Sequence, residues 1–140
     1  MKTVCKHEKE TVALGEKIGR SLKGGELITL SGDLGAGKTT FTKGIAYGMG
    51  VAVPVVSPTF TLMNEYEGNK LFLRHFDMYR LHSAEEAYEA GLTEYFGKND
   101  GVCVLEWAEN ISPALDGYRV LRINIYYENE NTRVVEILEQ

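Results

Sequence analysis

The sequence predicts an α/β domain around a mixed, mainly parallel central sheet with a C-terminal β-hairpin, and three observations carry that prediction. An apolar run, Glu26–Ser31, leads through a glycine-rich turn into a helical pattern that starts at Lys38. A second run, Val102–Leu105, is continuously apolar, as a strand covered on both faces must be. Two late segments, Val120–Tyr126 and Arg133–Leu138, alternate with period 2 around Glu128-Asn129-Glu130-Asn131, which reads as a hairpin turn.

The remaining elements follow in chain order. Thr3–Lys6 reads as a short strand. Glu8–Lys23 reads as a helix, with Leu14, Ile18 and Leu22 on one stripe and Gly24-Gly25 as its stop. No Ser, Thr, Asp or Asn caps the start of that helix. The helix from Lys38 runs to Met49, puts Phe41, Ile45 and Met49 on one face, and ends at Gly50. Val51–Val56 is β-branched but broken by Pro54, so a loop or an edge strand is expected. Thr59–Glu65 and Leu71–Asp77 read as antiparallel strands joined at Glu67-Gly68-Asn69. Ser83-Ala84-Glu85-Glu86 has capping-box spacing and should open a short helix to about Ala90. Without repeats or low-complexity tracts, residues 1–140 read as one domain.

Charge narrows the function classes. Fifteen basic and 20 acidic side chains give a net charge of −5, which argues against a protein that grips nucleic acid unaided or docks on an anionic membrane. The balance is uneven: residues 1–70 hold 9 basic and 7 acidic groups, whereas residues 71–140 hold 6 and 13. The acidic second half is either a solvated face or a docking surface for a basic partner. Cys5 and Cys103 are too far apart in sequence for a CxxC pair, no apolar run reaches membrane length, and a cytoplasmic location is expected. Glycine is in excess, at 15 of 140, and much of the excess lies between Gly15 and Gly50.

That excess includes Gly32-Asp33-Leu34-Gly35-Ala36-Gly37-Lys38-Thr39, which fits G-x-x-x-x-G-K-[ST], the P-loop. Glycines let successive backbone N–H groups turn inward on phosphate oxygens, and the helix opening at Lys38 aims its unsatisfied N–H groups at the same anion. Lys38 is suited to reach the β- and γ-phosphates, Thr39 to ligate Mg²⁺, and Thr40 to approach the α-phosphate. The four fixed positions would match by chance on the order of once in a few hundred chains of this length, and a strand before and a helix after lower that further. The expected fold is therefore a P-loop NTPase-like three-layer sandwich. Asp33, Gly35, Ala36, Gly37, Lys38, Thr39 and Thr40 are its cofactor-binding candidates.

An acid on a neighbouring strand must complete such a site. Asp77 and Glu106 both end apolar runs, and Glu106 better fits the position where ligands sit beyond the C-terminal ends of parallel strands. Either could instead be structural, Asp77 through a salt bridge with Arg74 or Arg80. His75 shares a face with Asp77 but reads as a hydrogen-bonded structural residue outside the catalytic set. Ser57-Pro58-Thr59-Phe60-Thr61 is either a nucleotide-sensing loop or the capped start of a strand. Asn69-Lys70-Leu71-Phe72 lacks the acid of a guanine-specific segment, which favours ATP. No clear arginine finger follows the loop, although Arg74, Arg80, Arg119, Arg122 and Arg133 could serve, so weak turnover stimulated by a partner is expected.

The order of Gly32–Thr40, Ser57-Pro58-Thr59-Phe60-Thr61-Leu62, His75-Phe76-Asp77-Met78-Tyr79-Arg80-Leu81 and Glu106-Trp107-Ala108-Glu109 resembles the bacterial TsaE family across nearly the whole chain. That family is the small ATPase of tRNA threonylcarbamoyladenosine (t6A) biosynthesis. The resemblance implies binding of ATP and Mg²⁺, slow hydrolysis, and association with TsaB and TsaD, so that tRNA is reached through the complex and the threonylcarbamoyl transfer occurs on TsaD. It implies that Lys38 contacts phosphates, Thr39 and Glu106 ligate Mg²⁺, Asp77 acts near the γ-phosphate, and the sole tryptophan, Trp107, reports on nucleotide. It also implies that Glu8 and Thr11, at the start of the first helix, help to hold the adenine, although the missing cap there departs from many relatives. Two other readings stand beside it: a nucleotide-gated regulatory or scaffold protein, and a small-molecule P-loop kinase.

Overall fold

A computed structural model describes residues 1–33 and 36–139. Its strands are β1 (Lys2–Cys5), β2 (Leu27–Ser31), β3 (Met63–Glu67), β4 (Phe72–Asp77), β5 (Gly101–Glu106), β6 (Val120–Tyr127) and β7 (Arg133–Glu139). They form one sheet in the order β1-β7-β6-β2-β5-β4-β3. The central strands β6, β2, β5 and β4 run parallel, and antiparallel pairs close both ends: β7 and β1 on one side, β3 on the other. The helices are α1 (Glu8–Ser21), α2 (Lys38–Met49) and α3 (Ala84–Glu89), with 3₁₀ segments at Leu92–Tyr95 and Ala108–Leu115.

The sheet is covered on both faces, as the unbroken apolar run of β5 requires. Ile28, Leu30, Val102 and Val104 point to one side, where they pack with Phe41 and Ile45 of α2 and with Leu14 and Ile18 of α1. Leu27, Cys103 and Leu105 point to the other, where Ala84 and Ala87 of α3 and Ile111 of the last 3₁₀ segment cover them. This is the expected three-layer α/β arrangement. Both cysteines are free and buried, and among the described residues no helix is long and apolar enough to cross a membrane.

Most elements lie where the sequence puts them, and two differ for physical reasons. The first helix stops at Ser21, because Leu22 turns extended (ψ 141°) ahead of Gly24 and Gly25, both at positive φ. The strand expected over Thr59–Glu65 begins only at Met63. Residues 59–62 form a turn instead, closed by the Leu62 N–H donating to the Pro58 carbonyl (3.0 Å) with Leu62 at φ 67°. The Tyr66 hydroxyl holds the preceding loop there by accepting from the Val56 N–H at 3.0 Å and donating to the Val56 carbonyl at 3.2 Å. Val51–Val56 is a loop. Ser83 caps the expected short helix, its hydroxyl accepting from the Glu86 N–H at 3.3 Å, one half of a capping box.

The glycine excess has two uses, one of which composition did not reveal. Gly15 and Gly19 on α1 face Gly44 and Gly48 on α2, and a Cβ at Gly15 would stand 2.6 Å from the Phe41 carbonyl oxygen. A Cβ at Gly48 would overlap the Glu16 carbonyl oxygen, and one at Gly19 the Ile45 carbonyl oxygen. The helices touch backbone to backbone, which fixes α1 against the helix that follows the glycine-rich loop. Gly48→Ala tests this contact. Helix propensity alone favours alanine by about 1 kcal/mol, but the opposing atom is rigid backbone, and overpacking of this kind typically costs about 1–3 kcal/mol. The variant should be less stable than the parent in urea denaturation.

Candidate functional site

The site is assembled at the C-terminal ends of β2, β5 and β4, where ligands bind in open α/β sheets. Register fixes which residues meet there. Leu30 of β2 pairs with Glu106, and Glu106 pairs with Asp77 of β4, so the two predicted acids stand side by side. By the period of 2, His75 and Glu106 share the face of Leu73, Val102 and Val104, the side covered by α2.

From β2 the chain enters the glycine-rich turn. A Cβ at Gly32 would stand 2.6 Å from the Ile125 carbonyl oxygen, so glycine alone lets the turn lie this close to β6. The Ala36 N–H donates to the Asp33 carbonyl at 2.9 Å, Ala36 is fully buried, and Asp33 is exposed. Gly35, a predicted cofactor-binding residue, lies outside the described residues. Gly37 adopts φ 108°, and α2 begins without a side-chain cap. The first-turn N–H groups of a helix have no intrahelical partner. Among the described residues, a Cβ at Gly37 would meet Arg133 Nε, at 3.8 Å.

Lys38, the first residue of α2, turns inward. Its Nζ lies 3.9 Å from Glu106 Oε1 and 4.8 Å from the centroid of the Trp107 ring. Thr39 and Thr40 are half-buried beside it. Glu106 is only 7% exposed, a costly place for a carboxylate unless it is paired. It has two neighbours: Lys38 at Oε1, and His75 Nε2 at 2.7 Å from Oε2. Trp107 follows at φ 58°, unusual for a bulky residue, and its ring meets the edge of Tyr79 at 5.0 Å between centroids. Asp77 is half-buried and accepts the Tyr79 N–H at 3.0 Å. It makes neither of the salt bridges considered for it: Arg74 is taken by Glu65 (2.7 Å) and Asp100 (2.9 Å), and Arg80 lies over the Phe60 ring. The Arg74 guanidinium holds the Asp100 carboxyl below its usual range, and those two carboxylates raise Arg74 in turn.

The predicted adenine-side residues also arrive. Glu8 and Thr11 line a cleft with Gly37 and Thr40, and the Thr11 hydroxyl is buried without a hydrogen-bond partner among the described residues. Sequence reasoning missed the far wall of this cleft: Glu130, Asn131 and Arg133 from the β6–β7 hairpin. Arg133 donates from Nε to the Ala36 carbonyl at 2.9 Å and from Nη1 to the Asn129 carbonyl at 2.7 Å, tying the hairpin to the glycine-rich turn. No motif announces this contact, because it spans most of the chain. His75 was also set aside in the sequence, although its period-2 relation to Asp77 placed it on the correct face.

Known proteins resemble this chain in sequence and in fold. The family described as "Threonylcarbamoyl adenosine biosynthesis protein TsaE" matches residues 5–135. A protein of Bacillus subtilis with the name tRNA threonylcarbamoyladenosine biosynthesis protein TsaE is 47% identical over 111 residues, covering 79% of this chain and 68% of its own. One of the same name from Treponema pallidum is 42% identical over 121 residues, covering 86% and 87%. The crystal structure of Bacillus subtilis YdiB superposes with a TM-score of 0.78 at 36% identity, over 98% of this chain and 83% of that one.

The Arg133 tie predicts a local effect. Removing a charged donor to a carbonyl costs about 1.5–3 kcal/mol, so Arg133→Ala should speed amide hydrogen exchange over residues 36–41 by roughly tenfold or more. Mass spectrometry of peptides from this segment measures it, with the β4–β5 peptides as an unchanged control.

Proposed function

The chain belongs to the TsaE family of threonylcarbamoyl adenosine biosynthesis proteins, and from that premise we propose that it is the ATP-binding and ATP-hydrolysing subunit of t6A synthesis, acting with TsaB and TsaD to support their turnover. The observation that carries this reading is the meeting of Lys38, at the mouth of an uncapped helix, with the buried carboxylate of Glu106 at a parallel strand's end.

The residues fit a magnesium nucleotide. The open helix end at Gly37 offers N–H groups to an anion, and Lys38 adds a positive charge beside it. Among the described residues no three His, Cys, Asp or Glu side chains converge on a point. Mg²⁺ is commonly held by one or two protein ligands together with phosphate oxygens, and Thr39 with Glu106 would be those ligands here. Bound there, Mg-ATP supplies a scissile γ-phosphoryl group and a cation that draws charge from it.

The chain's own groups then divide the work. Lys38 leaves Glu106 and the Trp107 face to contact phosphate, which makes Trp107 a reporter of occupancy. Glu106 stays on the cation's side. Asp77, one strand over and held by the Tyr79 N–H, is placed to orient a water beyond the γ-phosphate. Glu8 and Thr11 border the cleft that takes the base, facing Asn131 and Arg133. Turnover by the chain alone is weak in this reading, and Arg74, one of the candidate arginine fingers, is held by Glu65 and Asp100. Transfer of the threonylcarbamoyl group belongs to the partners. Contact with tRNA runs through the complex, in keeping with a net charge of −5.

Lys38→Ala should weaken ATP binding at least about tenfold by calorimetry, the scale of one lost charge-assisted contact; unchanged affinity refutes the phosphate assignment. Glu106→Ala and Asp77→Ala should lower partner-stimulated hydrolysis by more than they lower binding. Full turnover in both would exclude the acids. In cells, depletion of the protein should reduce t6A in bulk tRNA, measured by nucleoside mass spectrometry. Normal t6A would instead favour a nucleotide-gated scaffold.

A further inference from the structure

His75 is the one buried titratable side chain at the site that the reading above leaves without a task. It is fully buried, at 0% exposure, in the middle of β4. A core strand position of this kind ordinarily carries an aliphatic side chain, as Leu73 does two residues earlier on the same face. The imidazole there has a single partner among the described residues, Glu106 Oε2, at 2.7 Å from Nε2. Its other nitrogen, Nδ1, is buried and meets no hydrogen-bond partner among the described residues.

The two nitrogens together determine where the ring proton sits. A bare Nε2 facing a carboxylate oxygen would oppose two lone pairs at 2.7 Å, whereas an N–H there makes a short charge-assisted hydrogen bond. An N–H on Nδ1 would be left buried with no acceptor, at the full cost of its desolvation. Both arguments put the proton on Nε2. The consequence falls on Glu106: Oε2 is occupied by the histidine, and Oε1 is the oxygen turned toward Lys38. A lysine or arginine in place of His75 would set a fixed positive charge against the carboxylate and compete with any cation. An imidazole N–H on Oε2 fixes the rotamer of Glu106.

We propose that His75 is a positioning residue for Glu106. It locks the carboxylate so that only Oε1 faces the phosphate and cation side, making Glu106 a one-oxygen ligand of defined direction. This inference rests on the nucleotide-site reading above. Partners of this kind, which orient a metal ligand through a hydrogen bond, are commonly worth about 10–100-fold in metal affinity.

The test compares nucleotide affinity with and without Mg²⁺ in the full chain, using calorimetry with a non-hydrolysable ATP analogue and EDTA as the metal-free condition. His75→Leu should bind the metal-free analogue as the parent does but lose about tenfold of the gain that Mg²⁺ confers. His75→Gln, whose amide nitrogen reaches as far as Nε2, should keep that gain to within about twofold. If the leucine variant fails to fold, His75→Asn replaces it, since its amide is too short to reach Oε2. Independently, nitrogen NMR of the nucleotide-free chain should find the His75 ring protonated at Nε2 and bare at Nδ1. A ring proton on Nδ1, or an equal Mg²⁺ gain in the leucine or asparagine variant and the parent, overturns the assignment of His75 while leaving nucleotide binding intact. A parent chain that binds no nucleotide, or binds it no better with Mg²⁺, overturns the site reading and this inference together.

Discussion

The pairing of β5 between β2 and β4 determines what can happen at this site. Leu30 stands level with Glu106, and Glu106 with Asp77, so the glycine-rich turn leaves the sheet at the height where both acids end. A slip of one residue in either pairing would turn its acid to the opposite face. That face is the one packed by Leu27, Cys103, Leu105 and Phe76. Burial on both faces disfavours the slip, because the opposite side is apolar core with no partner for the displaced acid.

Burial then sets the electrostatics. Glu106 is held at the edge of the core with one oxygen on His75 and the other toward Lys38. A lone carboxylate in such surroundings would be expelled or neutralised, and removing one partner of a buried pair commonly costs several kcal/mol. The same pressure acts on Cys103, one face over on β5, whose thiol is pushed up to about 12 by burial and so stays protonated and inert. One strand thus carries a silenced thiol on one side and, on the other, a carboxylate held between His75 and Lys38.

How much of this was legible in the sequence depended on how local the signal was. Lys38–Met49 is a helix at its expected boundaries, because its lysine-led start and Gly50 stop are encoded within a few residues. Glu106 was legible from the four apolar residues before it. The strand start at Thr59 was misplaced because Tyr66 and Asn64 bond back to Val56 and draw the chain into a turn at Leu62, a tertiary contact with no periodic trace. The glycines of α1 and α2 were visible in composition, but their shared surface required knowing that the two helices are neighbours. Arg133 on Ala36, and His75 on Glu106, are side-chain contacts between distant strands, and only the assembled sheet reveals them.

The sheet order carries a consequence for how the chain is made. β2 lies at the centre, but both its neighbours come late: Leu27 pairs with Cys103 on one side and with Val120 on the other. β1, the first of the described strands in sequence, pairs at the sheet's edge with β7, the last of them. During vectorial synthesis the early half can form α1 and α2 and press their glycines together, but it has no sheet to rest on. Ile125 of β6 crowds Gly32 and Arg133 of β7 donates to the Ala36 carbonyl, so the last two strands supply the frame around the glycine-rich segment. A chain cut before β6 would keep the motif and lose that frame.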